Sequence, residues 1–198
     1  MQLPMFLGSL TDLPSSDGSQ PLAAVNNVAG QNPLPLSVQP QLQTEWCWAA
    51  VASSIAAFYR DAQPISQCEL ATQYLHMPCC IDPLPGPPPQ QWDGNQSYTL
   101  DVPLQVLHHL AEPLIPDVIP FEDIVADIDA GRPICCHIAW NQDAPHDGHF
   151  NVIVGYDSHT QDVIIRDPYA TYGESTVPYK TFQSNYHGGS WDQTCRTT

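Results

Sequence analysis

Gln41-Leu42-Gln43-Thr44-Glu45-Trp46-Cys47-Trp48-Ala49-Ala50-Val51-Ala52-Ser53-Ser54-Ile55-Ala56-Ala57-Phe58-Tyr59 is the stretch on which the fold turns. Trp48, Val51, Ala52, Ile55, Phe58 and Tyr59 recur at helical spacing, and alanines fill the gaps. The pattern predicts an apolar helix from Cys47 to Tyr59. Its first residue is a thiol. A free cysteine titrates near 8.5, so only a few per cent is thiolate at neutral pH. A helix N-terminus favours the anion through its unpaired N–H groups and its dipole. Small residues follow Cys47 and leave room for a substrate carbonyl. Cys47 is therefore a candidate nucleophile; taken alone, it equally fits a small buried residue. Its partners decide.

Upstream, residues 1–36 are rich in Pro, Ser, Gly, Asn and Gln and keep no helix or strand period. They read as an extended arm or a removable pro-segment, ahead of a domain spanning 37–198. Downstream, Ser66-Gln67-Cys68-Glu69 has capping-box spacing and opens a second helix through about Leu75. The proline-rich run Cys79 to Gln91 reads as a loop. Asp101 is placed to cap a third helix running to about Leu110. Phe121 to Ala130 makes a fourth, stopped by Gly131 and Pro133. The character then changes. Ile134–Trp140, Phe150–Tyr156, Val163–Arg166 and Thr176–Tyr179 read as strands. Helices first and antiparallel strands later make an α+β fold, with a cleft between a helical half and a strand half.

Among the eight histidines, His149 stands before an apolar strand, with Gly148 removing bulk beside it. A base at a strand end can face a cleft while the strand is buried. Residues 157–162 join two strands. Folded as an antiparallel hairpin centred on position 158, the chain sets His149 opposite Asp167. Neighbouring strands lie about 4.8 Å apart, within reach of a cross-strand carboxylate. Such a carboxylate would fix the imidazole tautomer and support the imidazolium. Pro168 then ends the strand. His146 is the alternative base, His108 and His109 fall in a helix, and His137, His159 and His187 have no evident partner.

Two motifs carry a resemblance. Gln41 stands six residues before Cys47-Trp48-Ala49-Ala50, and Gly148-His149 is followed by Ile153, Gly155 and Tyr156. Both resemble the papain-like cysteine peptidases, most closely the bacterial bacteriocin-leader-processing, staphopain-like and effector branches. The resemblance implies an oxyanion donor at Gln41, with Gln43 as its rival. It also implies the base at His149 and, as in the leader-processing group, Asp rather than Asn as third member, here Asp167. The fuller papain signature around the cysteine is absent.

Composition excludes other classes. Five Lys and Arg oppose 21 carboxylates, for a formal charge of −16. That argues against nucleic acid and anionic membranes. No run of 18 apolar residues exists, so no membrane span is expected. The N-terminus carries no signal-like basic and apolar regions; secretion or delivery outside the cell is nonetheless the favoured location. Seven cysteines fit one free reactive thiol and at least one disulfide. Cys68, His76, Cys79, Cys80, Cys135, Cys136 and His137 raise the question of zinc, but no C-x2-C pair exists, and adjacent strand cysteines point to opposite faces. No metal and no cofactor is expected. The expectation is a monomeric cysteine peptidase acting on a protein or peptide. The same Cys-His-Asp set also serves acyl transfer, deamidation or amidase chemistry. A catalytically inactive binding module would normally have lost one of these residues.

Overall fold

The structure, a computed structural model, describes residues 33–80, 94–140 and 148–198. Most of the proline-rich loop and His146 lie outside the described residues, as does nearly all of the expected N-terminal arm. Four helices come first: α1 (Cys47–Phe58), α2 (Gln67–Leu75), α3 (Asp101–Val106) and α4 (Phe121–Asp129). Strands β1 (Ile134–Ala139), β2 (Gly148–Asp157), β3 (Asp162–Arg166) and β4 (Glu174–Pro178) follow, then α5 (Tyr179–Ser184) and β5 (Ser190–Arg196). One antiparallel sheet runs in the order β4-β3-β2-β1-β5. The α+β expectation holds. Among the described residues, no helix is long and apolar enough to cross a membrane.

Helix α1 is buried from Cys47 to Ala56. Its two serines, which interrupt the apolar run, serve as anchors. Ser54 accepts the backbone N–H of Gln39, and Ser53 accepts the Gln39 amide. The capping box at Ser66 and Glu69 forms as read, and α2 ends on His76 in the left-handed region. Gln67 of α2 is buried and holds the segment before α1, accepting from Leu42 N–H and donating to the Pro40 carbonyl. A disulfide joins Cys68 to Cys80.

Three expectations change. Asp101 is the first residue of α3 rather than its cap; the N-cap is Leu100, without a side-chain bond, and the helix stops at Val106. The hairpin β2–β3 is centred between 159 and 160, not on 158. Asp157 pairs with Asp162, and after a bulge Val152 pairs with Arg166. Asp167 therefore continues opposite Asn151, two residues from His149, and meets it diagonally across the strands. Finally, the packed chain starts before residue 37. Leu34 and Leu36 are core residues, Leu34 N–H donates to Val154, and the Arg166 guanidinium donates to the Leu34 and Leu36 carbonyls. Gly155 permits that approach, because a Cβ there would lie 3.1 Å from the Pro33 backbone.

Candidate active site

Cys47 opens α1 after Trp46, which supplies no side-chain cap, and the first turn holds no carboxylate. The positive end of the helix dipole at Cys47 is thus unopposed within the helix. The indoles on either side build the surrounding wall. Trp46 Nε1 donates to the Gly94 carbonyl at 2.7 Å and Trp48 Nε1 to the Gln96 carbonyl at 3.1 Å. They clasp the extended segment 94–99 to the helix start.

His149 lies at the beginning of β2, where it is buried. Its Nε2 is 2.7 Å from Asp167 Oδ1, and the Cys47 side chain is within hydrogen-bonding reach of the ring. With Nε2 on the carboxylate, Nδ1 is left for the sulfur. Burial disfavours the imidazolium, but the Asp167 hydrogen bond, the Cys47 hydrogen bond and the charges of both outweigh it, raising His149 to about 9. Trp140 stacks on the same ring with centroids 6.0 Å apart.

Asp167 is fixed from every side. Its Oδ1 also accepts the Tyr169 N–H at 2.8 Å, and its Oδ2 accepts the Tyr186 hydroxyl at 3.0 Å. Its own N–H donates to Gly173, which has φ +56 and closes the turn 169–173. Tyr186 is buried beside a carboxylate; burial and the Asp167 charge push its hydroxyl far up, so it remains a donor. Nothing in its sequence surroundings marks this tyrosine. It reaches the site from the α5–β5 turn, and only the closed sheet brings that turn to Asp167.

Gln41 stands in the loop before α1, tied to the segment after Asp167 by a bond from its N–H to the Pro168 carbonyl at 2.9 Å. Its amide is turned into the loop. Nε2 donates to the carbonyls of Gln43 and Thr44 at 3.0 and 2.6 Å, while Oε1 is buried without a partner. Cys47, His149 and Asp167 are brought together; Gln41 adjoins them with both amide donors spent on its own loop.

Burial acts on the other free thiols. Cys135 and Cys136 are raised well above the ordinary thiol range, first by burial and then by neighbouring thiols. Burial, with some help from Asp101, raises Cys195 to about 12, and Cys79 is also raised by burial. Such thiols are poor nucleophiles. Among the described residues, no three His, Cys, Asp or Glu side chains gather as a metal set.

A hollow of about 410 Å3 borders Cys47, between the 97–99 segment and the sheet. Its sheet wall holds a second histidine, His137, whose Nδ1 lies 2.6 Å from Asp192 Oδ1. Asp192 is on β5, a strand that lacks clean alternation and is not apparent from the sequence, so this pairing is not apparent either.

The family model of the Peptidase C39-like family matches residues 33–197. The solved peptidase domain of Streptococcus ComA, described as a bi-functional ABC transporter involved in a quorum sensing pathway, is 18% identical. The match covers 82% of this chain and 98% of that domain at a TM-score of 0.51. The peptidase domain of Streptococcus mutans ComA is 17% identical over 81% of this chain and 98% of that one, with a TM-score of 0.44. No curated protein matches. The five-stranded antiparallel sheet behind an N-terminal helical half and the match over nearly the whole described chain agree: the chain belongs to the Peptidase C39-like family of papain-like cysteine peptidases.

Proposed function

We propose that Cys47, His149 and Asp167 form the triad that hydrolyses a peptide bond. The observation that carries this reading is His149 itself, held by buried Asp167 on one nitrogen and in reach of the Cys47 sulfur. The Cys47 proton passes to His149, giving a thiolate–imidazolium pair at a helix N-terminus. The thiolate attacks the amide carbonyl. The oxyanion forms beside the Cys47 N–H, an unpaired donor of the first helical turn. Gln41 supplies the second donor by releasing one of its loop carbonyls. Protonated His149 gives its proton to the leaving amine, and the acyl group stays on sulfur as a thioester. A water that loses its proton to neutral His149 then hydrolyses it, restoring the thiol. Asp167 keeps the ring oriented throughout.

The substrate class is a peptide or an exposed protein segment. The test is a peptide-library cleavage screen with wild type and Cys47→Ala, together with iodoacetamide labelling at pH 6 mapped by mass spectrometry. Cleavage by wild type alone, with the label on Cys47, is expected. Label on another cysteine would overturn the assignment, and products joined to an added amine would shift the reading to acyl transfer. Loss of the segment ahead of the packed residues Leu34 and Leu36 in wild type but not in Cys47→Ala would identify a self-processed pro-segment.

A further inference from the structure

Five of the seven cysteines are free thiols. Two of them, Cys135 and Cys195, stand directly opposite each other on the antiparallel strands β1 and β5. We propose that Cys135 and Cys195 are a disulfide-forming pair, a second covalent clasp that locks the edge strand β5 to the sheet. Directly opposed residues of an antiparallel ladder have Cα atoms about 4.5–5.5 Å apart and side chains on one face. A disulfide accepts Cα separations of about 4.4–6.8 Å, so the register already supplies the span. Both thiols are buried, and they are close enough to act on each other electrostatically. Cys136 is turned to the other face of β1, opposite Asn151 and Thr194, and its Sγ donates to the Ile134 carbonyl. Cys79 Sγ donates to the Met77 carbonyl, and Cys47 is engaged with His149. The register therefore selects one partner for Cys195.

The clasp has a structural purpose. β5 lies at the sheet edge with β1 as its neighbour, and their register shifts between His137 and Ile138, where Asp192 is the extra residue. A one-residue slip of β5 would turn its side chains to the wrong faces. A bond just past the bulge fixes that register, and with it the turn ahead of β5 that brings the Tyr186 hydroxyl to Asp167. The step is thiol–disulfide exchange with a small disulfide such as oxidised glutathione. One cysteine thiolate attacks the reagent, forms a mixed disulfide and releases a first glutathione thiolate. The second cysteine thiolate attacks the protein sulfur of that mixed disulfide and releases the other. Two electrons pass to the reagent, and the two cysteine protons end on two glutathione thiols. Burial holds both cysteines protonated in the closed sheet, so exchange takes place while β5 is undocked.

The test incubates the full chain with oxidised glutathione in urea below the unfolding transition, which lets β5 open. Remaining thiols are trapped with N-ethylmaleimide in denaturant, and an Asp-directed endoprotease releases fragments for mass spectrometry. Fragment 129–142 joined to fragment 192–198, two hydrogens lighter than their sum, is expected. Cys136→Ala should keep that joined product and Cys135→Ala should lose it. In the oxidised wild type, dithiothreitol should then speed hydrogen exchange of the β5 amides by about tenfold. The same reductant should leave β5 exchange unchanged in Cys195→Ala, which separates this bond from Cys68–Cys80. Maleimide on both Cys135 and Cys195, or Cys195 joined to Cys136, overturns the proposal. A joined product whose reduction leaves β5 exchange unchanged overturns the clasp.

Discussion

The molecule carries two His–Asp pairs of nearly the same length, His149–Asp167 at 2.7 Å and His137–Asp192 at 2.6 Å. Their histidine side chains are about equally buried, 9% and 6% exposed. His137 pairs with Phe150 and Ile138 with His149, so the two rings leave the sheet on opposite faces, one register step apart. Their carboxylates differ: the Asp167 side chain is fully buried, whereas Asp192 is 34% exposed. Asp167 has two further donors, Tyr169 N–H and the Tyr186 hydroxyl. Only His149 gains a hydrogen bond from Cys47. A short His–Asp contact is therefore not sufficient to mark a base. What sets His149 apart, and supports the role of base proposed for it, is a sulfur in reach and a carboxylate that cannot turn away.

The largest expected effect is an exchange of roles. His149→Gln should lower kcat by about 10^3-fold or more, the usual scale for removing the base of a nucleophile. His137→Gln should lower it by at most about tenfold, through substrate placement. Steady-state kinetics on one uncharged peptide decides this, and the opposite ranking would reverse the assignment.

Next comes the carboxylate. Asp167→Ala should cost about 10^2-fold in kcat, with Asp167→Asn milder because an amide oxygen can still orient Nε2–H. Asp167→Ala should also destabilise the fold by about 1–3 kcal/mol, because the buried Tyr186 hydroxyl and the Tyr169 N–H lose their carboxylate acceptor. Asp192→Ala also strands a buried ring nitrogen, His137 Nδ1, but Asp192 is partly exposed, so water can take its place and the cost should be smaller. Urea midpoints of the two alanine variants provide the comparison.

The pH profile separates the pairs further. His149 is raised to about 9, so its imidazolium persists through neutrality and is lost as pH rises past that value. Activity should then fall by about tenfold per pH unit, since both the counter-ion and the acid for the leaving amine disappear. Stability gained from the charged ring is likewise fully present below its unfolded value and lost as pH rises through about 9. In Cys47→Ala the sulfur's hydrogen bond and charge are gone, and the His149 midpoint, read by NMR of the ring, should drop while Asp167 still supports it. A midpoint that does not move would break the link between Cys47 and His149.

Legibility in the sequence follows from how local each signal is. α1 and the capping box of α2 are written in contiguous residues, and β2 in a continuous apolar run, so all three were readable. The hairpin register differs from the sequence expectation by two residues, because the bulge near Val154 has no local sequence signature. The approach of Asp167 to His149 survived that error because 149 and 151 share a face. Gln41 was legible as a residue, but its amide direction was not, because it depends on loop carbonyls. The partner of His137 is not legible in the sequence because its carboxylate arrives on β5, 55 residues later.

Tyr186→Phe gives the smallest effect and the finest test of the difference between the two pairs. It deletes the hydroxyl that reaches Asp167 Oδ2 and leaves the ring packed against Phe182 and Tyr172. Asp167 keeps His149 and the Tyr169 N–H on Oδ1, so the triad remains assembled. With one donor fewer, the carboxylate bears more negative charge toward the imidazolium and holds its proton more tightly. The ring becomes a weaker acid toward the leaving amine. The expected outcome is a fall in kcat of about three- to tenfold, with KM unchanged and the alkaline limb moved upward. A purely structural role would lower the melting temperature and leave that limb in place. No equivalent donor binds the second Asp192 oxygen among the described contacts, so the limb should respond to Tyr186 and not to Asp192→Asn. If both substitutions shift it equally, the two pairs are coupled, and the separate roles given to them here fail.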